Sequence, residues 1–306
     1  MVSRAVVVGR GRSVAAGIVA DLLLGEPPDA IHPVVWFGRA MRAVEARAYG
    51  DDRWRGGLHA AAGVALGAGA GGVVRSTGVA TWVAVAGRQL RRVATTVGAA
   101  LEGGDLEEAR RLLPALAGRD PEGLDEKDVA RAVVESVAEN TVDAIVAPAL
   151  WALVAGAPGA LGYRAVNTID AMVGHRSVRY ERYGWSSARL DDLAAWLPAR
   201  ATAVLVAAVR PASAVDVWTA VRTQAPAHPS PNAGVAEAAF AAALGLRLGG
   251  ETRYPGRVEA RPFLGTGRPP EAGDIASAVR LSAHVGAALA AGLTLGGARA
   301  RAGARR

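Results

Sequence analysis

The sequence predicts an all-α integral membrane protein, a polytopic helical bundle with polar inter-helix loops and short amphipathic helices. Three stretches without formal charge, residues 57–74, 144–163 and 281–298, are each about long enough to cross a hydrocarbon core of ~30 Å. They consist mostly of Ala, Gly and Val, which are weak insertion signals but suit close packing between membrane helices. Together they favour a membrane protein over a soluble protein with buried alanine-rich helices.

The charge and cysteine composition excludes several kinds of scaffold, site and partner. The 306 residues include 35 Lys and Arg against 28 Asp and Glu, a net charge of +7, and no cysteine. The absence of cysteine excludes a disulfide scaffold, a thiolate metal site and a cysteine nucleophile. Lys127 is the only lysine, so the basic character is an arginine bias. No nucleic-acid partner is expected, because no reader motif accompanies the arginines.

The apolar runs alternate with polar segments within one expected domain, residues 1–306. The polar segments are 88–131, 164–200, 210–232 and 250–280. Residues 105–117 have an acidic start followed by arginines, which is typical of a short surface helix. Residues 250–280 contain four prolines and several glycines, which predicts a loop followed by a helix from about Asp274. Strand patterns are almost absent.

Arginine clusters predict the orientation. They occur at 88–92, 176–182 and 299–306, and the positive-inside tendency places such segments in the cytoplasm. The N-terminal residues have a short apolar patch and no small-residue cleavage pattern, which is not typical of a secretory signal. We therefore expect a multi-pass protein of the cell membrane with its active site facing the cytoplasm.

Residues 128–147 predict a continuous helix that Pro148 kinks or ends. Acidic side chains recur on it at positions i, i+4 and i+8, which lie on one face with Asn140 beside them. These side chains are Glu135, Glu139 and Asp143.

No basic residue lies between Arg131 and Arg164 to neutralise this acidic face locally. Mg²⁺ would balance it, because this ion prefers carboxylate oxygens and completes its shell with water and substrate phosphates. The alternative is a solvated acidic helix face. Asn167 and Asp170, at i and i+3, predict a second polar face on the next helix.

Three further segments contain candidate phosphate ligands. Residues 175–183 combine histidine, arginine and tyrosine, and arginine binds phosphate or carboxylate through two hydrogen bonds. Residues 228–234 form a proline-stiffened loop that leads into an apolar helix, with Asn232 placed as its N-cap. His32 follows an acidic, proline-rich turn and is either a ligand or a structural residue.

Four stretches carry a family resemblance. They are residues 21–39, 118–151, 163–200 and 228–250, and the most specific are VESVAENTVD (134–143) and AVNTIDAMVGHR (165–176). In this order they resemble the adenosylcobinamide-phosphate synthase family (CobD/CbiB) of cobalamin biosynthesis.

The resemblance implies an ATP-dependent carbon–nitrogen ligase in the membrane. Such an enzyme joins adenosylcobyric acid to (R)-1-aminopropan-2-ol phosphate, or to the free amino alcohol, with ATP and Mg²⁺. A carboxylate is a poor acyl donor, so an acyl phosphate is the expected intermediate, and metal and arginine would offset its phosphoryl charge.

Under this interpretation the candidate residues take separate roles. Glu139 and Asp143 are expected at the catalytic centre. The phosphates are expected to contact Arg176, Arg179, Arg182, His32, His228, Ser230 and Asn232. Mg²⁺ is expected at Glu135, Glu139, Asn140, Asp143, Asn167 and Asp170. Lys127 or His175 would accept the proton of the amine, although a lysine at its ordinary pKa of about 10 is already protonated.

Two other functions stay open at this point. One is a non-catalytic transporter or sensor on the same scaffold, in which the carboxylate face is an ion path. The other is a soluble Mg²⁺-dependent helical enzyme that acts on a diphosphate. For the ligase, the expected partners are the corrinoid, aminopropanol phosphate and membrane lipid, with a homo-oligomer or an association with other corrinoid-pathway enzymes as a further expectation.

Overall fold

The computed structural model describes residues 4–175, 177–254 and 257–303. These residues form twelve α-helices and one two-stranded hairpin. The helices are α1 (Arg4–Leu24), α2 (Pro33–Ala48), α3 (Arg53–Val74), α4 (Thr77–Ala84), α5 (Gly87–Glu102), α6 (Leu106–Leu112), α7 (Glu126–Thr141), α8 (Ala147–Ile169), α9 (Trp185–Val209), α10 (Ala214–Thr223), α11 (Ala233–Leu244) and α12 (Ala272–Gly303). The strands are β1 (Leu248–Tyr254) and β2 (Arg257–Leu264).

The all-α membrane fold class is confirmed. Within the described residues, four helical segments are long and apolar enough to cross a membrane: Arg53–Val74, Glu126–Gly174, Trp185–Val209 and Ala272–Leu295. Leu66 on α3 and Leu193 and Leu197 on α9 are exposed in spite of their size. Large apolar side chains on the outside of long helices are what a hydrocarbon solvent requires.

The hairpin corrects the prediction of a loop from residue 250. β1 and β2 pair antiparallel, with a register shift between Leu248 and Gly250. The usual polarity is inverted on β2, because Val258 and Phe263 are exposed while the charged Arg257 is partly buried. A strand with its charges turned inward does not show the apolar periodicity that identifies strands from sequence.

The described residues divide into two compact units, each built from separate stretches of chain. The first unit contains the described residues up to Ala86, Asp143–Ala195, and those from Leu289 onwards. The second contains Gly87–Val142 and Trp196–Ala288. The chain passes between them several times, so composition along the sequence shows no boundary.

A stripe of glycines on α3 organises the first unit. Gly63, Gly67 and Gly71 are buried at spacings of four residues, and α3 packs against α8. A Cβ atom on Gly67 would lie 2.7 Å from the carbonyl oxygen of Leu161. Such small residues let two membrane helices approach closely, as expected from the composition.

The long segment from α7 to residue 174 does not follow the predicted path. α7 ends at Thr141, and a π-helical turn spans Val142–Val146 before α8 begins. Pro148 lies in the first turn of α8, where proline is tolerated because its missing N–H is not needed. The sharp break occurs instead at Gly156, whose φ of 69° and ψ of −148° are non-helical.

Asn167 and Asp170, predicted on one face of the next helix, lie at the C-terminal end of α8. Asn167 lies in the last turn of α8, and Asp170 begins a second π-helical turn, Asp170–Gly174. Such π-helical turns are rare and often occur at functional sites.

The second unit packs its helices around α7. α5 and α11 contact α7, α10 contacts α11, and the hairpin contacts α11. The predicted surface helix is present as α6, whose N-cap Asp105 accepts a hydrogen bond from the Glu108 amide. α11 is apolar apart from Glu237, which lies at its buried centre.

Candidate functional site

Two groups of polar side chains lie within the helical packing, one in each unit. We call them the arginine–glutamate cluster and the aspartate cluster. The arginine–glutamate cluster, in the second unit, consists of Arg119, Glu135, His228, Glu237 and Arg261. The aspartate cluster, in the first unit, consists of Asp143, Tyr163, Asn167, Asp170 and Asp191.

Glu135 is neutralised by protein groups. Its side chain forms a buried ion pair with Arg119 and accepts a hydrogen bond of 2.7 Å from the Gly249 amide. Arg119 therefore supplies positive charge to Glu135, where the sequence predicted Mg²⁺. The local sequence window contains no partner, but the chain turns back and brings Arg119 against α7.

Glu237 is fully buried and its two carboxylate oxygens have no hydrogen-bond partner. Its oxygens lie 3.7 Å from Nε2 of His228 and 3.6 Å from Nη1 of Arg261. Burial and the nearby charges of Glu135 and Glu139 raise the pKa of Glu237 well above its ordinary value. The structure thus holds a carboxyl group that favours its protonated form.

The pKa values of the two neighbours of Glu237, His228 and Arg261, are shifted in opposite directions. Burial lowers the pKa of His228, which favours the neutral imidazole. For Arg261, burial is the largest single influence and lowers the pKa, but Glu237, Tyr254, Glu135 and Glu139 together outweigh it and the pKa is raised. Arg261 also donates a hydrogen bond to the hydroxyl of Tyr254. Arg261 is therefore the fixed positive charge beside Glu237.

The loop before α11 is held together by its own side chains. Nδ1 of His228 accepts a hydrogen bond from the Ser230 amide, and the His228 side chain is 1% exposed. Asn232 occupies the N-cap position without a capping hydrogen bond, which corrects the prediction; Oγ of Ser230 instead accepts from the Ala233 amide. Asn232 accepts a hydrogen bond from Arg200. His228 supports the loop from inside rather than facing solvent.

Glu139, near the C-terminal end of α7, has an exposed carboxylate. The positive charges of Arg261 and Arg119 both act on it. Asn140, beside it, donates hydrogen bonds to the carbonyl and hydroxyl oxygens of Ser136. Glu139 can therefore meet a ligand from outside while it stays within the field of two arginines.

The aspartate cluster joins the two ends of the α8 region to α9. The Tyr163 hydroxyl lies 3.3 Å from Oδ1 of Asp143, and Nδ2 of Asn167 lies 3.4 Å from Oδ1 of Asp191. The negative charges of Asp143 and Asp170 act on Asp191. The structure thus brings together three of the predicted metal ligands of the first unit and adds Asp191.

No group of three or more Asp, Glu or His side chains in the described part of the chain is arranged to hold a metal ion by itself. The predicted ligands are also divided between the units, since Glu135, Glu139 and Asn140 belong to the second and Asp143, Asn167 and Asp170 to the first. Mg²⁺ in phosphoryl-transfer sites is often held by only one or two carboxylates together with phosphate. The metal assignment stays a prediction.

The basic segment after α8 is partly engaged with α2. Arg179 forms an ion pair with the buried Glu45 and lies 4.0 Å above the Tyr49 ring. Arg182 and His175 are exposed, and the His175 ring packs edge-on against Tyr180 at 5.0 Å. The predicted phosphate ligand Arg176 lies outside the described residues.

The remaining candidates occupy helix starts. His32 is buried as the N-cap of α2; Nδ1 accepts from the Val34 amide and Nε2 lies 3.1 Å from Glu26. Both ring nitrogens are thus engaged within the protein, which argues against phosphate binding in this conformation. Lys127 is exposed in the first turn of α7.

Comparison with known proteins identifies the family. The family model for CobD/Cbib proteins matches residues 14–282. A cobalamin biosynthesis protein CobD of Mycobacterium tuberculosis (strain H37Rv) is 48% identical over 299 residues, which cover 92% of this chain and 94% of that protein. The chain belongs to the CobD/Cbib family.

More distant relatives agree with this membership. A CobD protein of Chromobacterium violaceum is 43% identical over 86% of this chain and 89% of its own length. A CobD protein of Geobacter metallireducens is 41% identical over 83% of this chain and 86% of its own length. No solved structure matches the chain.

The family match spans both clusters of this CobD/Cbib protein, including five residues that sequence reasoning did not select: Arg119, Tyr163, Asp191, Glu237 and Arg261. Arg119, Asp191 and Glu237 lie inside the stretches that carry the resemblance. Glu237 could have been selected, because it is the one charged residue in an apolar helix. Arg261 lies in an arginine-rich segment, where nothing distinguishes it from its neighbours.

Proposed function

We propose that this CobD/Cbib protein, an enzyme of cobalamin biosynthesis, forms an amide between adenosylcobyric acid and (R)-1-aminopropan-2-ol phosphate or the free amino alcohol, with consumption of ATP. The observation that supports this best is the exposed Glu139 beside the charges of the buried Arg119 and the partly buried Arg261. A ligase of this kind must stabilise phosphoryl charge where water is restricted, and fixed arginines do so without reorganisation.

The chemistry sets the order of events. A carboxylate oxygen of the corrinoid attacks the γ-phosphorus of ATP, and ADP leaves. The amine nitrogen then attacks the carbonyl carbon of the acyl phosphate, phosphate leaves, and a base accepts the amine proton. The protein must therefore bind two phosphorylated substrates, ATP and aminopropanol phosphate, and arginine side chains are suited to both.

Each unit offers oxygen donors of the kind that Mg²⁺ prefers, which phosphate and water would have to complete. In the first unit the charges of Asp143 and Asp170 act on Asp191, which lies 3.4 Å from Asn167, and in the second unit Glu139 is exposed next to Asn140. When bound, Mg²⁺ would neutralise phosphoryl oxygens. Glu135 is a weaker candidate, because Arg119 and the Gly249 amide already occupy its oxygens.

The proton acceptor is to be sought among exposed groups. His175 and Lys127 are both exposed and able to meet an amine. A histidine has an ordinary pKa near 6.5 and exists largely in its basic form at neutral pH, whereas a lysine does not. We therefore prefer His175 over Lys127 for this role.

The test is turnover by the purified protein in detergent or nanodiscs. Adenosylcobyric acid, aminopropanol phosphate, ATP and Mg²⁺ should give the amide and ADP, measured by mass spectrometry and nucleotide analysis. Glu139→Gln and Asp143→Asn should each lower turnover by ~10²-fold or more, because they remove charge that acts in phosphoryl transfer.

Glu126→Gln is the matched control for Glu139→Gln. Glu126 is exposed in the first turn of the same helix, so this change should leave turnover within a factor of about two. Near wild-type turnover in both Glu139→Gln and Asp143→Asn, with the fold intact, would move the catalytic centre elsewhere. Chelation of Mg²⁺ should abolish amide formation.

A transporter is the competing function, and the buried Glu237 within an apolar helix is the observation that favours it. It would give ion flux in liposomes and no ATP consumption in the presence of the corrinoid and the amine. The orientation proposed for the ligase, with the site in the cytoplasm, follows the arginine-rich segments. Protease protection of those segments in oriented vesicles would test it.

A further inference from the structure

A cavity of about 250 Å³ lies in the first unit, and no residue of either polar cluster lines it. Side chains and backbone of α2, α3, α4 and α8 line it. The lining includes Trp36, Phe37, Leu66, Ala70, Leu161 and Arg164. This volume is below the usual range of ~300–1,000 Å³ for sites that enclose drug-sized ligands. A corrinoid cannot be enclosed here, but a flexible chain can enter.

The cavity opens on the apolar exterior of the unit. Trp36 and Leu66 line it and are 57% and 50% exposed. α3 and the segment that includes α8 are both long and apolar enough to cross a membrane. A ligand therefore reaches the cavity from the hydrocarbon phase rather than from water.

Arg164 gives the cavity a positive charge. It lies within the membrane-length segment Glu126–Gly174, and its Nε atom is buried without a hydrogen-bond partner. Among the described residues no carboxylate forms an ion pair with it. A charged side chain in hydrocarbon without a partner is costly and requires an anion.

We propose that the cavity binds one acyl chain of an anionic phospholipid, with the phosphate group in contact with Arg164. The apolar walls match the chain, and the guanidinium matches a phosphate, which it binds through two hydrogen bonds. Thr168, one turn along α8, also lines the cavity and offers a hydroxyl oxygen. The inference is independent of the proposed ligase activity.

Native mass spectrometry of the detergent-purified, delipidated protein tests this. Phosphatidylglycerol and phosphatidylcholine with the same acyl chains would be added separately. The wild type should retain one phosphatidylglycerol in preference to phosphatidylcholine. Arg164→Gln should lower phosphatidylglycerol occupancy at least tenfold, whereas Arg39→Gln, an exposed arginine on α2, should leave it unchanged.

A second variant keeps the charge and fills the space. Ala70→Leu adds three carbon atoms at the wall and should also reduce occupancy while Arg164 is intact. Melting temperature and monodispersity identify variants that do not fold, and Ala70→Leu decides the question if Arg164→Gln is one of them.

Four results would overturn the proposal. One is equal retention of both lipids, and another is wild-type occupancy in both variants. The third is full competition between oleate and phosphatidylglycerol that depends on Arg164, because the natural ligand would then be a fatty acid rather than a phospholipid. If Arg164→Gln lowers phosphatidylglycerol occupancy and Ala70→Leu does not, the acyl chain does not lie in the cavity. This result would also contradict the proposal.

Discussion

Glu237 and Glu135 show two ways in which the second unit accommodates a carboxyl group in a buried helix. Glu135 is paired with Arg119 and the Gly249 amide. The carboxylate oxygens of Glu237 have no hydrogen-bond partner, and the nearest Arg261 nitrogen lies 3.6 Å away, so the protonated form of Glu237 has the lower free energy. A buried ion pair needs close geometry to offset desolvation, and only Glu135 has that geometry.

Replacement of Glu237 should change how stability depends on pH. Its pKa is raised in the folded state, so above pH 4.5 the folded state holds a proton that the unfolded state has lost. Stability is therefore lost as pH rises, by at most about 1.4 kcal/mol per pH unit, until the folded-state pKa is passed. Glu237→Gln should remove this decline, as measured by thermal unfolding in detergent.

The pH range above about 6.5 isolates this effect. His228, which faces Glu237, has a lowered pKa and reduces stability only as pH falls below its ordinary value of 6.5. The other charged groups acting on Glu237 are Arg261, Arg119, Glu135 and Glu139. Glu122→Gln, on an exposed residue of the same unit, serves as control. The same slope in Glu237→Gln and wild type would show that Glu237 does not titrate in this range.

At the scale of single elements, α3 reverses the arrangement of a soluble helix. Its buried face contains glycines, and its exposed face contains Leu58, Leu66 and Val73. In a bilayer the apolar side chains already have a suitable solvent, so packing between helices depends on close contact rather than on burial of large side chains. The glycines are therefore the residues that determine how α3 and α8 meet.

Two adjacent glycines of α3 provide a matched test. A Cβ atom on Gly71 would lie 2.5 Å from the carbonyl oxygen of Ala157 and from the backbone of Pro158, so α8 would have to move. On Gly72 it would meet nothing within 4 Å. Gly71→Ala should lower the melting temperature, while Gly72→Ala should be neutral or stabilise the helix by about 1 kcal/mol.

Equal melting temperatures for the two variants would show that α3 and α8 are not in close contact at Gly71. The comparison is sharp because both substitutions make the same chemical change on the same helix turn. Any general effect of alanine on helix propensity therefore cancels.

At the scale of the whole molecule, membrane integration is the property on which the interpretation depends. In the part of the chain that the structure describes, four helical segments have the length and apolar character to cross a membrane. The protein should remain in the membrane fraction after alkaline carbonate treatment and should require detergent for extraction. Release into the soluble fraction by carbonate would instead favour the peripheral Mg²⁺-dependent enzyme.

Much of the fold could be predicted because helical length and apolar composition are properties of adjacent residues. The helices α3, α8 and α12 correspond to the three uncharged stretches. The carboxylates at 135, 139 and 143 could be selected as site candidates from their spacing alone. The π-helical turn at Val142–Val146 could not be predicted in this way, since it depends on tertiary packing. The hairpin was missed because its charges face inward.

The helical membrane class, the family and the polar segments can be predicted without a structure, since each depends on the order of residues along the chain. Which groups neutralise the buried charges depends on the fold. Arg119 meets Glu135 from 16 residues away, and Arg261 approaches Glu237 from 24. Coulomb energy depends on distance in space, and a chain that returns on itself places groups together that no periodicity connects.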